Sequence, residues 1–166
     1  MLKVLVPVNG SECSRAAVDE ALRIARANGD AMIQLVNVQP RMPYHVSRFL
    51  SGGEISALRA ERGARALEGA RQRVEAAGVR CAAHVLRGHI VQRISTFAAE
   101  TGTDQIVIGT SPARGRLFRE SIADRLIEES PVPVDVVRGG PIGMFERFGL
   151  PAGLGLGLAM FWYSNQ

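Results

Sequence analysis

Short apolar runs rich in β-branched residues alternate with helical segments along most of this chain, and few folds accommodate that pattern. Val4-Leu5-Val6-Pro7-Val8 reads as a strand and stops at Asn9-Gly10-Ser11, a turn followed by a helix N-cap. The next segment carries Ala17, Ala21, Ile24 and Ala25 on one face and ends at Asn28-Gly29, a helix C-terminus. Met32-Ile33-Gln34-Leu35-Val36-Asn37-Val38 follows as a second strand, closed by Gln39-Pro40. Two strands joined through a helix form a βαβ unit, whose crossover is right-handed and whose strands lie parallel.

The alternation continues. Residues 41–53 carry no periodic signal, with Pro43, Gly52 and Gly53 marking an irregular connection. Residues 54–77 read as a long helix interrupted by the poor helix formers Gly63 and Gly69. A third strand spans 79–86, a helix 90–101, a fourth strand 105–108, a loop 109–119, a helix 121–129 and a fifth strand 132–137. Pro133 lacks a backbone donor, so the last strand either lies at a sheet edge or pairs through its other side. The expected fold is α/β: three layers, with an open five-stranded parallel sheet covered on both faces by helices, Rossmann-like in plan.

At 166 residues the chain has room for one domain and an appendage. We set the boundary so that residues 1–138 form the domain and 139–166 a C-terminal extension. The net charge of +4 invites a nucleic-acid reading, but Arg62, Arg65, Arg71 and Arg73 alternate with Glu61, Glu68 and Glu75 as on a solvated helix face. We therefore expect no nucleic-acid partner. Cys13 and Cys81 are far apart and without ligand spacing, so neither a zinc site nor a disulfide framework is indicated, and a cytoplasmic setting fits. No metal is expected. The start of the chain lacks the apolar run and cleavage site of a signal peptide.

In an open parallel sheet a ligand sits outside the carboxyl ends of the strands, where their order reverses. The residues there are Val6-Pro7-Val8-Asn9-Gly10-Ser11, Val38-Gln39, Arg87-Gly88-His89 and the stretch from Gly109 to Ser121-Ile122-Ala123. Together they resemble the universal stress protein family, whose hallmarks are an opening of the type V-P-V-D-G-S and a late loop of the type G-x-x-G-x9-G-[S/T]. The resemblance covers residues 1–137 and implies a stress-response or regulatory binding protein, homodimeric through the 132–137 strand, that takes ATP or another adenine nucleotide. It implies a site lined by Pro7, Val8, Asn9, Val38, Ile108, Gly109, Thr110, Arg114, Ser121 and Ile122, with aliphatic side chains around a base and Gly109 and Ser121 nearest the phosphates.

Three departures bear on that ligand. Asn9 stands where the family has aspartate, Pro112 holds the second glycine position and Glu120 the last, in a loop about two residues shorter than the pattern. Proline removes a donor, and a carboxylate beside a helix N-terminus competes with a phosphate. Arg114, Arg116 and Arg119 read either as phosphate partners or as solvated loop residues. No general base stands out, so a catalytic role is not expected; weak nucleotide hydrolysis or nucleotidyl transfer at the same cleft is the enzyme alternative.

Individual residues carry two readings each. Cys13, in the first turn of the first helix, is either a reactive thiol or a small packed residue, and the second is preferred. His89 reads as a ligand contact or an ordinary loop residue, and Ser11 as a helix cap rather than a nucleophile. The extension from Phe148 to Tyr163 is uncharged, with Gly149, Gly153 and Gly157 at four-residue spacing. It is short for a span of roughly 20 apolar residues. Docking on protein, shallow membrane contact through Phe161-Trp162-Tyr163 and an exposed partner-binding segment all remain, with protein docking preferred.

Overall fold

The computed structural model describes residues 1–40, 52–111 and 121–139. Arg114, Pro112, Glu120 and His45, together with the loop at 41–51 and the extension from 140, lie outside the described residues.

Among the described residues, five strands form one parallel sheet: β1 (Leu2–Pro7), β2 (Ala31–Gln39), β3 (Arg80–Arg87), β4 (Gln105–Thr110) and β5 (Val134–Arg138), in the spatial order β3-β2-β1-β4-β5. The helices are α1 (Glu12–Asn28), α2 (Gly52–Ala76), α3 (Ile90–Thr101) and α4 (Ile122–Glu129). The chain winds outward from β1 through β2 to β3, then returns past β1 to build β4 and β5, so the order reverses between β1 and β4.

Strand alternation sorts the core into two layers. Val4, Val6, Ile33, Leu35 and Val107 pack with Ala17, Val18 and Ala21 of α1 and with Leu67, Ala70 and Val74 of α2. Leu5, Val36, Ile106 and Ile108 point to the opposite face and pack with Val91, Ile94 and Ala98 of α3 and with Ala123 and Leu126 of α4. The three-layer arrangement is the one the alternation of elements requires.

Element boundaries shift for identifiable reasons. Helix α2 runs unbroken through Gly63 and Gly69; Gly63 faces β3, where a Cβ would lie 2.6 Å from both methyls of Val85, whereas Gly69 faces open space. Strand β5 starts at Val134 instead of 132, because the Ser130 hydroxyl donates to Val132 O and accepts from Val132 N–H, folding those residues into a turn. β5 is the edge strand, one of the two placements Pro133 allows, and Pro133 still serves the ladder by accepting from Ile106 N–H at 2.8 Å. On α2, Arg65 pairs with Glu61 at 2.6 Å and Arg71 with Glu75 at 3.0 Å, two of the helix's five arginines.

Candidate functional site

β1 and β4 are in register at Val4–Gln105 and Leu5–Ile106. Beyond those pairs each tip is held from its outer side: Val8 N–H donates to Val36 O of β2 at 2.8 Å, and Gly139 N–H donates to Thr110 O at 2.8 Å. The two tips are thereby tied to different neighbours and a cleft of about 520 Å³ opens between them. The first residues of α3 and α4 and the first turn of α1 close its sides.

Pro7, Val8, Asn9, Val38, Ile108, Gly109, Thr110, Ser121 and Ile122 all line this cleft, whereas Gln39, Arg87, Gly88 and His89, at the same end of the sheet, do not. Cys13, Ser14, Asn37, Ile90 and Ile94 line it too and were not anticipated as site residues. The floor is aliphatic: Val8, Ile94 and Ile108 are at most 6% exposed, whereas Ile122 on the wall is 44% exposed. The described residues that line the cleft carry no charged side chain.

The polar groups are largely engaged with the scaffold. Asn9 Oδ1 accepts from Ser11 N–H at 3.1 Å, folding the side chain over its own turn, and Gly10 there sits at φ 80°, which suits glycine. Ser11 caps α1, accepting from Ser14 N–H at 3.3 Å, the simpler of its two readings. Buried Asn37 donates to Val8 O at 2.6 Å and accepts from Gln39 Nε2 at 2.5 Å, clamping the tip of β2 to the tip of β1. A polar residue inside an apolar strand run must find partners; that was the available signal for it.

Ser121 is the N-cap of α4 in a reciprocal capping box. Its hydroxyl accepts from Asp124 N–H at 3.1 Å and donates to Asp124 Oδ2 at 2.8 Å, while its own N–H donates to the same carboxylate at 2.9 Å. The backbone N–H and then the hydroxyl of Ser121 hold the Asp124 carboxyl below its ordinary pKa.

Two expectations change here. Gly109 belongs to β4 and not to a loop, and its lack of a side chain answers a packing need: a Cβ would stand 1.8 Å from the carbonyl oxygen of Cys13. His89 does not reach the cleft. It is the N-cap residue of α3, without a side-chain cap bond, and lines an adjoining depression with Gly88, Arg125 and Glu129. The first turn of α1 explains both glycines beside Cys13. Gly139 is as confined as Gly109, since a Cβ on it would lie 2.2 Å from Cys13 Cα. Cys13 is a packed residue wedged between them, its Sγ 3.7 Å from Gly139 O.

With this geometry the comparisons with known proteins agree. The universal stress protein family matches residues 1–138. The chain belongs to that family. A universal stress protein of Methanocaldococcus jannaschii is 32% identical over 139 residues, covering 82% of this chain and 81% of that protein. The crystal structure of a universal stress protein family member from Burkholderia pseudomallei is 26% identical with a TM-score of 0.65, covering 81% of this chain and 94% of that one. A universal stress protein family protein from Arabidopsis thaliana, solved with AMP bound, shares the fold at a TM-score of 0.64 and 22% identity, over 85% of this chain and 94% of that one.

Among the described residues no helix is long and apolar enough to cross a membrane, and no group of three or more His, Cys, Asp or Glu could hold a metal ion.

Proposed function

We propose that this universal stress protein is a cytoplasmic regulatory binding protein whose cleft takes an adenine nucleotide of the AMP class. The observation that carries the reading is the cleft between the tips of β1 and β4, aliphatic on its floor and walls and rimmed by Asn9, Thr110, Ser111 and Ser121. A flat base suits the aliphatic slot, and a volume of about 520 Å³ falls within the ordinary range for small-molecule sites. The AMP bound to the Arabidopsis relative supports the class of ligand. Two free cysteines fit a reducing compartment.

The residue at position 9 supports binding without rapid turnover. Asn9 supplies an amide where a carboxylate would be needed to hold a metal or act as a base. By the resemblance in sequence, Arg114 is the candidate partner for the phosphates. Titration calorimetry with AMP and ATP tests this: AMP should bind in the micromolar range and ATP no more tightly. No binding of either at millimolar concentration overturns the reading. Restoring Asp at Asn9 and Gly at Pro112 and Glu120 should then raise ATP affinity.

The reading includes a homodimer through the 132–137 strand. β5 leaves its outer edge without a neighbouring strand among the described residues, and Val136 and Ile127 are 41% and 55% exposed. Light scattering should give twice the chain mass, and Val136→Asp should halve it.

A further inference from the structure

We propose that the C-terminal extension docks into the cleft of its own chain, through the uncharged segment ending in Phe161-Trp162-Tyr163, and competes there with the ligand. The competition rests on the nucleotide reading above; the docking does not.

Gly139 fixes where the extension begins. It is buried, its N–H continues the β4–β5 ladder by donating to Thr110 O, and its Cα lies against Cys13. Thr110 and Cys13 both line the cleft, so the chain leaves the domain at the cleft's rim. Trp162 follows after 22 residues. Random-coil statistics for 22 residues give a root-mean-square reach of roughly 25 Å, and a tether of that reach corresponds to an effective concentration on the order of millimolar. Weak docking is therefore enough to fill the site.

Chemistry selects this occupant. The described lining of the cleft carries no charged side chain, and Val8, Val38, Ile94 and Ile108 offer an aliphatic floor beside the open Ile122. Residues 148–163 likewise carry no charge and end in three consecutive aromatics. Burying those rings removes apolar surface from water without desolvating any charged side chain of the described lining.

The test uses the full chain, in which Trp162 is the single tryptophan. Trp162→p-benzoylphenylalanine is photoactivated and the cross-links are mapped by mass spectrometry. Cross-links within one chain, to residues 7–14, 108–111 or 121–123, are expected. Cross-links elsewhere, cross-links between chains, or none at all overturn the proposal. In parallel, AMP affinity is compared between the wild type and Phe161→Ser/Trp162→Ser/Tyr163→Ser, where release of the tail should raise it about tenfold. AMP that binds both equally overturns the proposal as well. AMP that binds neither, with cross-links still in the cleft, removes the nucleotide reading and leaves the docked tail standing.

Discussion

Gly109 of β4 and Cys13 of α1 are in backbone contact: a Cβ on the glycine would lie 1.8 Å from the cysteine carbonyl oxygen and 2.3 Å from its carbonyl carbon. The first turn of α1 therefore lies directly on the tip of β4, and the same turn is pressed by Gly139 from the end of β5. Helix N-terminus, strand tip and cleft rim form one rigid corner.

Gly109→Ala is expected to be severely destabilising. The obstacle is backbone rather than the end of a flexible side chain, so α1 has to move bodily away from the sheet. Overpacking of this kind costs about 3 kcal/mol or more, equivalent to a fall of roughly 10 °C in the thermal midpoint. Calorimetry checks it; a fall of less than a few degrees would show that the corner is compliant.

Asn37→Ala removes the donor that holds Val8 O and the acceptor that holds Gln39 Nε2. Leaving those groups without partners costs about 1–3 kcal/mol. Because the clamp joins the tips of β1 and β2 beside the cleft, ligand affinity should fall along with urea stability. Loss of stability with affinity intact would separate the clamp from the site.

Pro133 narrowed the placement of β5 to two, and the alternation of elements and the end of the sheet at which the cleft lies were readable in the sequence, because each follows from periodicity. The true role of Gly109 was not. Its confinement depends on how closely α1 crosses β4, a tertiary quantity that no local pattern encodes. Asn37 was hidden for a related reason: its partner, Val8 O, is 29 positions away and becomes visible only once β1 and β2 are paired. His89 illustrates the converse. Its position after a strand suggested the site, but the chain turns into α3 at that residue and carries the ring into the neighbouring depression.

Cys81 should be a sluggish nucleophile at neutral pH. Burial pushes its thiol pKa up, the carboxylate of Glu75 adds to the shift, and Arg71 opposes it only in part. Alkylation by iodoacetamide near pH 7.5 should run slower at Cys81 than in the urea-unfolded chain, and the gap should narrow as pH rises above the ordinary thiol value of about 8.5. Equal rates at pH 7.5, resolved by peptide mass spectrometry, would contradict this.

Asp124 should make part of the protein's acid sensitivity. Its folded pKa is depressed by the Ser121 backbone N–H and then by the Ser121 hydroxyl. A depressed carboxyl pKa contributes stability that is fully present above the unfolded value of about 3.9 and is lost as pH falls through the folded value. The protonated acid no longer accepts both bonds as an anion, and α4 loses half of its capping box, at the wall of the cleft that Ser121 and Ile122 form. Asp124→Asn has no proton to gain, so urea-denaturation curves collected from pH 6 down to pH 2.5 should converge: the wild type is the more stable at pH 6, and its advantage shrinks below about pH 4. Subtracting the two series cancels the other titrating groups, among them Glu20, whose carboxyl is lowered chiefly by its hydrogen bond from Arg23. A difference that stays constant over that range would mean that the capping box works through hydrogen-bond geometry alone and gains nothing from the charge.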